Sequence, residues 1–147
     1  MFDFRVRLME EIDFGAVNKI RETHGWNIVS RGFFDFYLKS GSSFVAEAKG
    51  NVIGFVFSQT IEYMHREKRM MWVEYIGVLK DYQRRGIGQT LLTKVVDYVK
   101  QHSIPRIEST INPDNTPSIR LHEKTGFKVQ DWKRAIHSLG AREENKD

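Results

Sequence analysis

The sequence predicts a single α/β domain built on a mixed sheet, with six strand-forming runs and four helices. Three observations predict it. Short β-rich runs recur on both sides of the chain's middle, Leu91, Leu92, Val95, Val96 and Val99 repeat at helical spacing, and a strand, a glycine turn, a helix and another strand follow one another between Val73 and Ile111. A strand–helix–strand unit of that length forms a right-handed crossover, so its two strands lie parallel and close together.

Each element has its own signal. Residues 2 to 8 alternate as a first strand. Ile12, Ala16, Val17 and Ile20 then recur at helical spacing, with Asp13 near the start and Gly25 past the end. A second helix begins near Ser30, carries Phe33, Phe34, Phe36, Tyr37 and Leu38, and stops at Ser40-Gly41. Phe44 to Ala48 and Val52 to Phe57 read as a hairpin joined by Lys49-Gly50-Asn51, whose Gly and Asn tolerate positive φ. The second of these runs continues toward Glu62, and the charged segment from His65 to Arg69 turns the chain into a strand from Met70 to Val78. After the periodic helix, Pro105 precedes a strand over 106–111. Thr116-Pro117 reads as an N-cap and first helical residue, and Gly126 ends a helix over 117–125. A last strand runs from Phe127 to about Ile136, and the charged segment 141–147 is expected to be disordered beyond a domain of residues 1–140.

Bulk properties narrow the chemistry. With 147 residues the chain can bury a core without staples, and with no cysteine it offers no disulfide frame, thiolate zinc site or cysteine acyl intermediate. The histidines show no metal-ligand spacing. Neither a signal peptide nor an apolar membrane span is visible, so the expected location is the cytoplasm. The net charge of +4 suits a nucleic-acid binder or a polyphosphate ligand alike. A basic nucleic-acid-binding domain therefore stands as a competing class, although no nucleic-acid partner is expected.

Gln83-Arg84-Arg85-Gly86-Ile87-Gly88 stands between the 70–78 strand and the periodic helix. Two glycines allow a tight turn at a helix start, where unpaired N–H groups and the positive end of the helix dipole converge on an anion. The third glycine of a dinucleotide fold is missing, as is the Gly-Lys-Ser/Thr of a Walker loop. The order of this turn, the segment from Asn112 to Asn115 and Leu121-His122-Glu123-Lys124-Thr125-Gly126-Phe127 resembles the GNAT superfamily of acetyl-CoA-dependent N-acetyltransferases. The likeness is specific from about Val73 to Val129.

The resemblance implies a sheet of six to seven strands with about four helices, splayed between two parallel strands to hold acetyl-CoA as co-substrate without a metal. It implies coenzyme contacts from main-chain groups around Ile76, Gly77 and Val78, from Gln83, Arg84, Arg85, Gly86, Ile87, Gly88 and Gln89, and from Asn115, Ser118 and Lys124. His24, Trp26 and Asn27 would border the acceptor cleft. In the family a tyrosine protonates the departing thiolate, and His122 stands at that position here, which keeps a hydrogen-bond donor but changes its pH dependence.

An attacking amine must be neutral, so some group must take a proton from it. Glu74, which by simple alternation shares a face with Ile76 and Val78, is the first candidate base. Glu108, sharing a face with Thr110 and Asn112, is the second. The reaction expected is direct transfer to a primary amine in a ternary complex. A protein or peptide N-terminus is favoured because Asp81 to Gly88 looks like that branch, and a small amine or polyamine comes next. A homodimer is compatible with this reading, and a non-catalytic acyl-CoA-binding module is the alternative.

Overall fold

The computed structural model describes residues 2–63 and 68–140. Its elements are β1 (Arg5–Leu8), α1 (Phe14–Thr23), α2 (Arg31–Lys39), β2 (Phe44–Ala48), β3 (Asn51–Tyr63), β4 (Lys68–Val78), α3 (Ile87–Gln101), β5 (Ile107–Ser109) and α4 (Thr116–Lys124), with single 3-10 turns before α1 and after β4. The sheet runs β1-β2-β3-β4-β5. Its first four strands are antiparallel to their neighbours, and β5 lies parallel to β4 across the α3 crossover.

The hydrophobic patterns explain the layering. Ile87, Leu91, Leu92, Val95 and Val99 of α3 pack on one sheet face with Val56, Met71 and Val73. Val17 and Ile20 of α1 and Phe34 and Tyr37 of α2 cover the other face with Val45, Phe55, Phe57 and Tyr75. The β2–β3 hairpin turns through Lys49 and Gly50, both left-handed at φ 51° and 80°, the two-residue geometry that matches strand twist. Ser30 caps α2 through its side chain, which accepts from the Phe33 N–H at 3.1 Å.

Three expectations are corrected. The described residues form five strands, not six or seven, because Phe127 to Ile136 is irregular and mostly exposed. The strand signal there is the pair Phe127 and Val129, after which the alternation lapses into Asp131 and Lys133. The N-cap of α4 is Asn115, whose side chain accepts from the Ser118 N–H, and Thr116 is the first helical residue. The strand expected over 106–111 shortens to Ile107–Ser109. The charged turn from His65 lies largely outside the described residues, as does the segment 141–147.

One irregularity interrupts the long central ladder. Between β3 and β4, Phe57 faces Tyr75 and Ser58 faces Val73, so Glu74 is an extra, bulged residue.

Candidate functional site

The short β5 opens the site. Its register with β4 covers only Met71 to Val73, whereas β4 continues to Val78. Beyond residue 73 the two parallel strands part company. The bulge then decides which main-chain groups face the gap. Before it, the Met71 N–H donates toward β5, to the Arg106 carbonyl at 2.8 Å; after it, the Leu79 N–H donates toward β3, to the Ile53 carbonyl at 2.9 Å. Main-chain groups alternate sides along a strand, so Ile76 and Val78 turn their N–H and C=O toward the gap and Gly77 turns toward β3. The Val78 carbonyl accepts there from His24 Nε2 at 2.7 Å and from the Gln83 side chain at 3.2 Å.

The same bulge overturns the simple alternation expected for Glu74. Ile76 and Val78 pack toward the α3 face. Glu74 instead accepts hydrogen bonds from the Trp72 indole N–H and, at 3.3 Å, from the Tyr37 hydroxyl on the α2 side. Burial, and after it the Glu74 charge, push the Tyr37 hydroxyl well above its ordinary pKa, so it remains a donor to the carboxylate. Glu108 pairs with Trp72 across the ladder and so joins this face, but it is engaged by Arg106 at 2.8 Å. Glu74 has no ion pair of that kind among the described residues.

At the other end of the gap lies the glycine turn. Gly86 is the N-cap of α3 at φ 79°, Arg84 is also left-handed at φ 62°, and no side chain caps the helix. The first-turn N–H groups of Ile87, Gly88 and Gln89 precede any possible intrahelical acceptor, and Arg84, Arg85, Gly86 and Gln89 are exposed around them. Arg85 stacks its guanidinium over Phe2, 4.6 Å from the ring centroid. An exposed, uncapped, cationic helix start fits the diphosphate of acetyl-CoA. The two glycines act differently. A Cβ on Gly88 would sit 3.2 Å from Leu121, so Gly88 sets how closely α3 approaches α4, while a Cβ on Gly86 would meet nothing within 4 Å and its requirement is conformational. Gly77 is different again, since a Cβ there would fall 2.8 Å from Phe55 and 3.0 Å from Trp26.

The connection between α1 and α2, which carries His24 and Trp26, reaches the end of β4 through the His24 hydrogen bond to the Val78 carbonyl. Their rings stack at 4.3 Å, and Asn27 contributes its carbonyl to Arg21 Nε at 2.7 Å. Sequence reasoning missed Arg21, a buried residue whose guanidinium lies 4.2 Å from the centroid of Tyr75. Its place on the buried stripe of α1 gives an arginine no sequence signal of its own.

On α4, Asn115, Ser118 and His122 do share one stripe. Ser118 Oγ lies 3.5 Å from His122 Nδ1, and that ring nitrogen lies 2.7 Å from the Ser118 carbonyl, so Nδ1 carries the proton and donates. Nε2 is then a buried acceptor without a hydrogen-bond partner among the described residues. Burial holds the His122 pKa below its usual value, opposed in part by that Ser118 hydrogen bond. Lys124 is exposed in the last turn of α4.

The depressed pKa has a thermodynamic consequence. The unfolded chain takes up a proton on His122 below about pH 6.5 while the folded chain resists, so stability is present above that pH and lost on acidification toward the folded value. We expect the melting temperature of the His122→Phe variant to fall less than that of the parent chain between neutral pH and about pH 5.5; parallel profiles by differential scanning calorimetry would contradict this.

The family model of the acetyltransferase (GNAT) family matches residues 9–127. The chain is 35% identical over 82 residues to L-2,4-diaminobutyric acid acetyltransferase from Nocardia farcinica, a match that takes in 55% of this chain and 40% of that protein. It is 28% identical over 136 residues to an N-alpha-acetyltransferase from Sulfurisphaera tokodaii, covering 86% of this chain and 81% of the relative. The chain therefore spans less than half the length of the Nocardia protein and most of the Sulfurisphaera one. Its fold is shared with the crystal structure of ribosomal-protein-alanine N-acetyltransferase from Brucella melitensis, with a TM-score of 0.75 at 18% identity over 94% of this chain and 100% of the other. Among the described residues no helix is long and apolar enough to cross a membrane, and no cluster of His, Cys, Asp or Glu could hold a metal ion.

Proposed function

This chain belongs to the acetyltransferase (GNAT) family, and we propose that it transfers the acetyl group of acetyl-CoA to a primary amine by direct attack in a ternary complex. The observation that carries the reading is the gap between β4 and β5, closed at one end by the uncapped start of α3. A diphosphate seated on the amides of residues 86–89, between Arg84 and Arg85, directs the pantetheine arm along the outward groups of Ile76 and Val78. Those N–H groups are fixed by the strand, so they polarise the thioester carbonyl without having to reorganise as charge develops on its oxygen. Asn115, Ser118 and Lys124 flank the coenzyme from α4.

The amine nitrogen attacks the carbonyl carbon, the carbon–sulfur bond breaks, and the thiolate leaves. Glu74 takes the proton from the amine, directly or through water, with Glu108 as the second candidate. Trp72 and Tyr37 hold the Glu74 carboxylate in place. His122 is assigned to the departing sulfur because it occupies the position of the family's tyrosine. The thiolate, whose conjugate acid has a reference pKa of about 8.5, accepts readily from an imidazolium. The buried neutral ring must first gain that proton at Nε2.

A protein or peptide N-terminus is the favoured acceptor. The likeness to the N-alpha-acetyltransferase runs through most of both chains, whereas the likeness to the diaminobutyric acid enzyme is higher but shorter, which supports a small amine as the second choice. A non-catalytic acyl-CoA-binding module is the alternative, and the neutral His122 is the observation in its favour. Incubation with acetyl-CoA and panels of peptides and small amines, read by thiol release and mass spectrometry, separates them. Acetylated peptide N-termini are expected. Turnover only on small amines would reassign the acceptor, and saturable coenzyme binding without turnover on either panel would replace the enzyme by the module.

A further inference from the structure

The two arginines of the α3 turn are held differently. Arg84 is left-handed and exposed, and among the described residues no ring or hydrogen-bond acceptor meets its side chain. Arg85 is also exposed, yet it is held on several sides. Its guanidinium lies 4.6 Å from the centroid of Phe2 and 5.7 Å from that of Tyr82, and its Nη2 donates to the Asp81 carbonyl at 3.4 Å. Phe2 comes to this turn from the other side of the sheet. It precedes β1, which β2 and β3 separate from β4, and its ring centroid stands 5.5 Å from that of Tyr82. Phe2, Phe4 and Val6 alternate along the chain, and all three pack against the core under α3. Phe4 stacks on Phe2 at 6.0 Å and 25°, so the ring beneath Arg85 is itself braced.

An exposed arginine gives up much side-chain freedom when it grips a ligand. Rings that hold the guanidinium beforehand remove part of that cost. The arrangement also suits an oxyanion. Stacking occupies the face of the planar group, whereas its N–H donors lie in the plane, where a phosphate takes two of them side by side. Phe2 and Tyr82 use only the face, and the long Asp81 contact engages one donor of the edge. An exposed cation–π contact adds little to stability, so the value of this one lies in where it sets the charge.

We propose that Phe2 is a positioning residue of the coenzyme site: its ring holds Arg85 so that the guanidinium edge meets a phosphate of acetyl-CoA. This rests on the seat of the coenzyme at the α3 turn and adds to it a residue from outside that turn. Acetyl-CoA carries a diphosphate and a 3′-phosphate, and both present the oxygens that the arginine takes.

Isothermal titration of the full chain with acetyl-CoA tests the role. Phe2→Leu, which keeps an apolar side chain but no ring, should weaken binding about fivefold, with thermal melting to verify the fold. Phe2→Trp, a stronger cation–π partner, should restore the parent affinity. Arg85→Gln should itself weaken binding about tenfold, and adding Phe2→Leu to it should cost nothing more. Repeating the titrations with 3′-dephospho-acetyl-CoA identifies the partner: a Phe2→Leu loss that persists assigns Arg85 to the diphosphate, and one that vanishes assigns it to the 3′-phosphate. An affinity unchanged in Phe2→Leu while Gly86→Val loses its own, or an equal loss with and without the Arg85 guanidinium, would overturn the role of Phe2 alone. An affinity unchanged in both Phe2→Leu and Gly86→Val would remove the coenzyme from the turn, and this proposal with it.

Discussion

Replacing Gly86 with valine is expected to weaken acetyl-CoA binding about a hundredfold, or about 2.7 kcal/mol, while leaving the fold standing. Gly86 caps α3 at φ 79°, and a Cβ added to it would have no neighbour within 4 Å. Space is therefore no obstacle, and the penalty comes from the backbone. A β-branched residue held left-handed costs about 1–3 kcal/mol, and the turn relieves that cost by rotating away from positive φ. Rotation swings the amides of Ile87, Gly88 and Gln89 off their common target, and the branched side chain stands where the diphosphate would approach. Gly86→Ala carries the same conformational penalty with less bulk and should show a smaller loss. Isothermal titration with acetyl-CoA, alongside thermal melting of both variants, reads the effect. An affinity unchanged in a folded Gly86→Val protein would remove the diphosphate from this turn.

Glu74→Gln should lower kcat/KM at neutral pH by about 10² to 10⁴ and move the remaining activity toward alkaline pH. Glutamine keeps an acceptor for the Trp72 indole and the Tyr37 hydroxyl but cannot take a proton, so turnover must wait for the amine to lose its own. That occurs near pH 8 for an α-amino group and above pH 10 for a lysine-like one, so the displaced profile also reports the acceptor class. A second signal comes from Tyr37. Its pKa is raised first by burial and then by the Glu74 charge, so the variant should bring it down part of the way, seen as earlier tyrosinate absorbance in an alkaline titration. A pH–rate profile that keeps its shape while Tyr37 responds would pass the base role to Glu108 or to water.

The parts of this fold legible in the sequence are those set by local chemistry. The α3 stripe, the place of the Lys49-Gly50-Asn51 turn, the start of α2 near Ser30 and the Gly86 turn each depend on residues within a few positions of one another, although it is Lys49 and not Asn51 that shares the left-handed conformation with Gly50. What escapes depends on partners distant in sequence. A two-residue alternation at Phe127 and Val129 suggests a strand, but among the described residues no neighbouring strand takes up 127–136. Asn115 and Thr116 are both able caps, and the helical register selects Asn115. Glu74 is recognisable as a candidate base, yet alternation gives it the wrong direction, because neither residue type nor spacing marks a bulge whose origin lies in the pairing of Phe57 and Ser58 with β4. The motif match locates His122, but only the Ser118 carbonyl reveals which ring nitrogen bears hydrogen.

The extra residue at position 74 gives β4 a sensitivity that a scan of substitutions would pass over. Adding one residue to β3 between Phe57 and Ser58, with every native side chain intact, would give Glu74 a partner, restore strict alternation along β4 and turn the amides of Ile76 and Val78 away from the gap, whereas excising Glu74 would leave Val73 opposite Ser58 and Tyr75 opposite Phe57 and keep them outward. The edge offered to the pantetheine arm is thus written in the arithmetic of the backbone, and an insertion in β3 opposite this point would mark a relative whose thioester lies differently even where every glycine and glutamate is retained.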